Sequence, residues 1–195
     1  LKIDLKKNIF YKSRGKLKSA TRYWLNHMGI KGFDTEKYEE MYRLQMDSSE
    51  HNKIKVNIAD VGFGVSQLLP IVVDGLLMTR GETLVLEQPE IHLHPKMQMR
   101  LADFFLSIAK QGGKLIIETH SEHIINRLVR RVVEDKSEGN KSLVGINFIA
   151  NTKQGSKIEE VELSASEGIV NWPDEFFDQA ADEQQKILTA IIQKK

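Results

Sequence analysis

The segment that most constrains the fold is an apolar run that ends abruptly in acidic, amide and proline residues. Residues 83–95 have the sequence Thr-Leu-Val-Leu-Glu-Gln-Pro-Glu-Ile-His-Leu-His-Pro. A short, uniformly apolar run that is bounded by polar residues predicts a buried strand of a parallel sheet. Such a strand delivers its carboxylates to the carboxyl edge of the sheet, which is where open α/β sheets bind ligands. A second run of this kind, residues 114–119, is followed directly by His120.

The remaining periodicity predicts an α/β fold. Apolar residues recur at helical spacing in several segments, whereas residues 42–46 and 54–58 alternate and predict an antiparallel hairpin. Strands that alternate with helices predict a mainly parallel sheet that is covered by helices on both faces. The helices are predicted at 16–28, 65–79, 95–110, from Ser121 onward and, as a C-terminal tail, at 180–193, and further strands at 143–150 and 157–163.

The composition is that of an ordinary soluble protein. The 195 residues suffice for one domain, or for one domain with an appendage, and the net charge of +1 implies no bulk attraction to nucleic acid or membranes. The absence of cysteine excludes disulfides and thiolate metal sites. The longest apolar run, 68–78, contains Pro70 and Asp74 and is too short to cross a bilayer, so a cytoplasmic location is expected. Because the chain starts at Leu1, we expect the natural N-terminus to lie upstream.

Charge is unevenly distributed along the chain. Basic residues crowd the first 22 positions, and acidic residues crowd positions 174–183. A basic arm could meet DNA or an acidic partner, or it could be a solvated helix face, and both interpretations stay open. The basic residues are Lys2, Lys6, Lys7, Lys12, Arg14, Lys16, Lys18 and Arg22, with Asp4 among them.

A glycine turn precedes the predicted helix at 65–79. Gly62-Phe63-Gly64 would let backbone amides approach a phosphate, and the helix that follows would add its positive end. The same three residues would also suit a tight turn without a ligand. The position of the turn directly upstream of the acidic strand favours the phosphate interpretation.

Together these motifs resemble the C-terminal half of an ATP-binding cassette ATPase head of the RecF/SMC/OLD branch. The resemblance is strongest across residues 58–127. It implies that the turn is the signature loop, which reaches across a dimer to the γ-phosphate of ATP on the other subunit. The usual signature serine is replaced by Gly62, so any contact there would rest on backbone amides. The nucleotide-binding residues implied in this way are Gly62, Phe63, Gly64, Ser66 and Gln67.

The resemblance also implies roles at the acidic strand end. Glu87 would hold Mg²⁺, and Gln88 stands where the family has the glutamate that orients the attacking water. An amide cannot accept a proton, so hydrolysis of ATP would be slow and the ATP-bound dimer long-lived. Glu90 is close enough in sequence to substitute as the base. His120 would be the switch histidine that senses the γ-phosphate.

The sequence contains no G-x-x-x-x-G-K-[ST] phosphate loop. The resemblance therefore implies that an N-terminal half supplies this loop. Residues 1–53 are expected to form an arm or the start of the head, 54–150 the half-head described above, and 151–195 an appendage. The W-P-x-x-F-F-D sequence at 172–178 resembles a tail of bacterial anti-phage ATPases, and we expect its aromatic residues to pack locally.

The resulting hypothesis is a homodimeric ATPase head, joined by ATP and Mg²⁺, that regulates an effector protein in bacterial defence or DNA maintenance. A catalytically silent nucleotide-sensing scaffold is the alternative, and Gln88 leaves enzymatic activity undecided between the two. DNA binding stays open, and no membrane partner is expected. A third reading is a zinc-dependent hydrolase, since alternate residues of an extended segment share a face. Its ligands would come from His92, His94, Glu87, Glu90, His120 and His123.

Overall fold

The computed structural model describes residues 14–48, 54–137, 139–173 and 176–193. The basic residues that precede Arg14, most of the loop expected at 48–52, and the acidic pair at 174–175 lie outside these ranges. The chain forms two compact units, residues 1–128 and 129–195. The division into segments 1–53, 54–150 and 151–195, which was expected from the sequence, remains a prediction.

The first unit contains helices and two small sheets. Three strands form an antiparallel sheet in the order β1-β2-β3, and β4 and β5 form a parallel pair. A fourth helix begins in this unit and ends in the second. In chain order the elements are α1 (Arg14–Met28), β1 (Asp34–Tyr38), β2 (Met41–Asp47), β3 (Lys55–Asn57), α2 (Gly62–Leu77), β4 (Thr83–Glu87), α3 (Pro95–Lys110), β5 (Lys114–Glu118) and α4 (Glu122–Val133).

Most predicted elements of this unit are confirmed. The bounds of α3 agree with the prediction because Pro95 fits its first turn, and His94 Nδ1 accepts a hydrogen bond from the Lys96 amide at 3.2 Å. Helix α2 begins three residues earlier than predicted, since its glycines carry no apolar signal. Strand β1 was not predicted, because its sequence Asp-Thr-Glu-Lys-Tyr has no apolar alternation.

The core of this unit lies between α1, α2, α3 and the inner face of the parallel pair. The Trp24 ring of α1 meets Phe104 of α3 edge-on, with ring centroids 5.0 Å apart. The buried stripe predicted for α3 is confirmed, and it includes Leu101, Phe104, Phe105 and Ile108. None of the helices in the described part of the chain combines the length and the hydropathy that a bilayer crossing requires.

The parallel pair has one covered and one open face. Its inward side chains pack against the core, whereas Val85 and Ile116 point outward and are each 61% exposed. The expectation of a sheet covered on both faces is therefore wrong for the described residues. Glu87 and Glu118 share the open face, so the alternation of the strands carries both carboxylates to solvent.

The second unit is built from short antiparallel strands and one helix. Strand β6 was expected to join the parallel sheet, but it pairs antiparallel with β7 across a tight turn at 153–154. The apolar face of α5, expected to point inward, is more than half exposed at Ile187, Leu188, Ile191 and Ile192. The elements are β6 (Ile146–Thr152), β7 (Gly155–Val161), β8 (Leu163–Ser164), β9 (Gly168–Ile169) and α5 (Gln179–Gln193).

The aromatic residues of the W-P-x-x-F-F-D sequence pack within this unit, as expected. Phe176 is buried, and its ring lies 5.5 Å from that of Phe148 and 4.7 Å from that of Phe177. Trp172 Nε1 donates a hydrogen bond to the Phe176 carbonyl at 2.6 Å. Trp172, Phe176 and Phe177 therefore form a local aromatic cluster with Phe148.

Candidate functional site

Two carboxylates stand side by side at the carboxyl edge of the parallel pair. Glu87 ends β4 and Glu118 ends β5, and the two residues are register partners. Neighbouring strands lie about 4.8 Å apart, so the two acidic groups are close neighbours on the open face. The backbone amide of Gln88 donates a hydrogen bond to the backbone carbonyl of Glu118 at 2.9 Å, which extends the strand pairing by one residue.

The loop after β4 folds back on itself. Gln88 and His92 have left-handed backbone conformations, with φ of 44° and 60°. The Ile91 amide donates to the Gln88 carbonyl at 3.2 Å, and the Leu93 amide to the Glu90 carbonyl at 3.0 Å. These turns bury the Glu90 side chain in the body of the unit.

The structure brings Glu90 and His120 together. Glu90 Oε1 accepts a hydrogen bond from the His120 backbone amide at 2.7 Å. His120 Nε2 lies 3.0 Å from Glu118 Oε1, and the side chain of the histidine is 76% exposed. Sequence reasoning missed Glu118. The signal that could have found it is its position, since it ends β5 as Glu87 ends β4 and lies two residues before His120.

Gln98 of α3 links the two loops at the sheet edge. Its Nε2 donates to the Leu93 carbonyl at 2.8 Å, and its Oε1 accepts from Ser121 Oγ at 2.6 Å. Ser121 Oγ also accepts from the Ile124 amide at 3.1 Å, which confirms the predicted cap of α4. Gln98 was not predicted, because nothing in an amphipathic helix pattern distinguishes a bridging amide from a solvated one.

The glycine turn packs directly on the loop after β4. A Cβ atom at position 64 would lie 2.5 Å from the His92 carbonyl oxygen, so only glycine fits there. The rings of Phe63 and His92 are 6.0 Å apart, and Phe63 is largely exposed. Gly62 begins α2 with φ of 36°, and Val61 before it makes no side-chain cap. Val61 therefore gives the first amides of this helix no side-chain acceptor, and these amides form the positive end that the sequence analysis assigned to a phosphate.

The remaining predicted nucleotide contacts lie on the first turns of α2. Ser66 is exposed, and its hydroxyl donates a long hydrogen bond of 3.5 Å to the Ile58 carbonyl. Gln67 is exposed. The structure thus places Phe63 and Gly64 beside His92, with Ser66 and Gln67 on the following exposed turn of α2, while Glu87, Gln88, Glu90 and His120 gather around the ends of β4 and β5.

The acidic edge fits a magnesium ion better than a zinc ion. Within the described ranges, no three histidine, aspartate or glutamate side chains are arranged to hold a metal ion. Mg²⁺ is usually held by one or two carboxylates together with substrate phosphates and water, so Glu87 with Glu118 beside it would suffice. Of the four histidines proposed for zinc, His94 uses Nδ1 to cap α3.

An α/β fold that gathers carboxylates and a histidine at the carboxyl ends of parallel strands, with a glycine turn packed against the adjoining loop, is an architecture of nucleotide-binding proteins. The chain belongs to the AAA ATPase domain family, whose model matches residues 2–125. No curated protein matches the chain.

Solved structures of SMC heads share the fold. An SMC ATPase studied for ATP-driven dimerization and DNA-stimulated activation matches with a TM-score of 0.55 at 12% identity, covering 88% of this chain and 90% of that one. An Smc head bound to the C-winged helix domain of ScpA matches with a TM-score of 0.53 at 12% identity, covering 75% and 42%. The Smc head domain from Pyrococcus furiosus, with an extended coiled coil and the C-terminal domain of ScpA, matches with a TM-score of 0.54 at 10% identity, covering 88% and 37%. The chain thus spans less than half the length of the two Smc heads.

Proposed function

We propose that this chain supplies one side of an ATP site in a dimeric ATPase head, where ATP is bound and slowly hydrolysed. The observation that supports this most is the gathering of Glu87, Gln88, Glu118 and His120 at one sheet edge in a chain of the AAA ATPase domain family. A carboxylate pair beside an exposed imidazole suits a phosphate-bound cation and a terminal phosphate.

Each group at the edge has a chemical task in this proposal. Glu87 holds Mg²⁺, which neutralises phosphate charge when it is bound. The exposed His120 ring donates a hydrogen bond to the γ-phosphate, after exchanging its contact with Glu118 for one with the nucleotide. The Gln88 amide can orient a water molecule, but it cannot remove the proton from that water. Hydrolysis is therefore slow, because the Gln88 side chain can position the attacking water but cannot act as a base.

The glycine turn serves a second copy of the chain. The amides of 62–64 and the side chains of Ser66 and Gln67 face the ATP that is held by the partner, so ATP joins two heads. The SMC ATPase with a similar fold dimerises in an ATP-driven manner, and Smc heads bind ScpA. By analogy, the dimer of this chain controls an effector protein in bacterial defence or DNA maintenance, and DNA binding stays open.

The phosphate-binding loop is supplied by a segment other than these 195 residues, which contain no such motif. The chain by itself should therefore bind ATP weakly. Isothermal calorimetry of ATP and Mg²⁺ with this chain tests the point, and micromolar affinity would contradict a site that is split between two segments.

The hydrolytic role is tested by Gln88→Glu in the natural protein that contains these residues. Restoring a carboxylate should raise ATP turnover by about 10²–10⁴-fold, because a general base is then present. Gln154→Glu is the matched control, since it makes the same chemical change at an exposed turn. A natural protein that neither binds ATP nor forms ATP-dependent dimers would exclude the proposal.

A catalytically silent scaffold is the second candidate, and Gln88 in the position of the general base favours it. It predicts ATP-dependent dimerisation, measured by light scattering, without release of phosphate. Gln88→Glu would then leave phosphate release at background. The zinc hydrolase is the third reading, and elemental analysis decides it: stoichiometric zinc in protein purified without added metal would support it over both ATP-binding proposals.

A further inference from the structure

We propose that Glu90 is a positioning residue for His120 and not the general base of the reaction. Its carboxylate holds the backbone of the histidine loop, and thereby couples the loop after β4 to the switch histidine. This inference rests on the proposed function as far as ATP chemistry is concerned, but the coupling itself is a property of the fold.

The first argument is the environment of the two Glu90 oxygens. Glu90 is only 9% exposed, and its Oε1 accepts the His120 amide at 2.7 Å. Its Oε2 is sealed from solvent and accepts no hydrogen bond from the described part of the chain. A general base must lie within hydrogen-bond reach of the water that it deprotonates. One oxygen is already engaged and the other is enclosed, so neither is presented to a water at the open edge.

The second argument is the direction in which the loop turns. Glu87 and Glu118 point to the open face, whereas Pro89 and Glu90 are buried. The left-handed conformation of Gln88 produces this reversal, because it redirects the chain after only one residue beyond β4. Because the backbone directs Glu90 into the body of the unit, its side chain can hold the loops of the site in place, but it cannot reach the face that would contact the nucleotide.

The third argument is that Glu90 does not act alone in linking this pair of loops. Gln98 forms a second link, through the Leu93 carbonyl and the Ser121 hydroxyl. Both links join the loop that packs against the glycine turn to the loop that carries His120. A shift of either loop is thus transmitted to the other, and the backbone position of His120 depends on how the loop after β4 is seated.

The coupling can be tested on this chain without any nucleotide. Hydrogen exchange of the His120 amide, followed by NMR, is measured for the wild type, Glu90→Gln and Glu90→Leu. Glu90→Gln keeps an oxygen acceptor and should stay protected within about threefold, whereas Glu90→Leu should exchange at least about tenfold faster. Glu122→Gln is the matched control, since Glu122 also lies near His120 in the sequence but its carboxylate faces His123, at 4.0 Å from Nδ1. An unchanged His120 amide in Glu90→Leu overturns the proposal.

Turnover in the natural protein separates positioning from base catalysis. Glu90→Gln should retain ATP turnover within about fivefold, whereas loss of a true base costs about 10²–10⁴-fold. Glu90→Leu should lower kcat by about 10–100-fold with a smaller change in KM, because the histidine is misplaced. Should Glu90→Leu fail to fold, Glu90→Asp takes its place, since it keeps the charge and shortens the reach.

A failure of this inference can be distinguished from a failure of the proposed function. Loss of about 100-fold or more in Glu90→Gln with a protected His120 amide makes Glu90 the base and overturns this inference alone. A wild-type protein that does not bind ATP overturns the proposed function, while the exchange experiment still decides whether Glu90 holds His120.

Discussion

Removing one partner of the buried ion pair between α3 and α4 should strongly destabilise the first unit. Asp103 is fully buried, and Arg127 donates to both of its oxygens, from Nε at 3.0 Å and from Nη2 at 2.7 Å. His27 Nε2 lies 3.5 Å from Asp103 Oδ2. Arg127→Met removes the guanidinium that pairs with the buried carboxylate, and breaking a buried ion pair in this way typically costs about 3–5 kcal/mol. At about 2–4 °C per kcal/mol for a chain of this size, Tm should fall by roughly 6–20 °C.

The assay uses the two tryptophans. Trp24 is buried in the core of the first unit and Trp172 belongs to the second, so a Trp172→Phe background makes fluorescence report on the first unit alone. Urea unfolding in this background gives the free energy of unfolding for each variant. The double variant Asp103→Leu/Arg127→Met should recover most of the loss, because apolar replacement of a whole buried pair is often neutral or stabilising.

Two results would refute this reasoning. A loss below about 1 kcal/mol in Arg127→Met would mean that solvent screens the pair as it screens a surface salt bridge. A double variant as unstable as the single variant would mean that packing, and not the enclosed charge, is responsible.

Three further outcomes are expected. Gly64→Ala should lower the free energy of unfolding by about 1–3 kcal/mol in the same urea assay, because its methyl group meets a backbone carbonyl at 2.5 Å, and an unchanged midpoint would contradict that contact. Glu118→Gln should lower kcat for ATP in the natural protein without lowering Tm, since the partner of the exposed His120 ring loses its charge; an equal loss of Tm would indicate a structural role. The hydrogen bond from Lys18 holds the pKa of Asp34 below its ordinary value of 3.8, so its stabilising contribution is present above that value and is lost as pH falls through the lower pKa of the folded state; Lys18→Met should return the pKa toward 3.8 in an NMR titration.

The sheet edge was predictable because its signals are local. The apolar runs of β4 and β5 fix two parallel strands, and the carboxyl ends of such strands meet, so Glu87, Gln88 and His120 fall together from sequence alone. The orientation of Glu90 was not predictable in the same way. It depends on a left-handed turn at Gln88, for which glutamine is not a characteristic residue.

Burial was harder to predict than periodicity. A repeating apolar pattern defines a face of a helix or strand, but it does not identify what covers that face. The exposed residues of α5 and the pair Val85 and Ile116 show this difference. Glu118 and Gln98 were missed for a related reason, because Glu118 meets Glu87 across the strand pair and Gln98 meets Ser121 from another element, and both contacts join segments that are distant in the sequence.

The left-handed residues of the loop after β4 have an evolutionary consequence. A residue other than glycine in this conformation costs on the order of 1–3 kcal/mol, and the loop contains two, Gln88 and His92. Glycine would adopt the same backbone with less strain. Laboratory evolution that selects for heat resistance alone should therefore substitute glycine for Gln88 and His92 early. The selected variants would be more stable proteins that lack the amide and the imidazole side chains. Requiring ATP turnover in the same selection should hold Gln88 in place, and a population that accepts glycine there under both pressures would show that the side chain is dispensable.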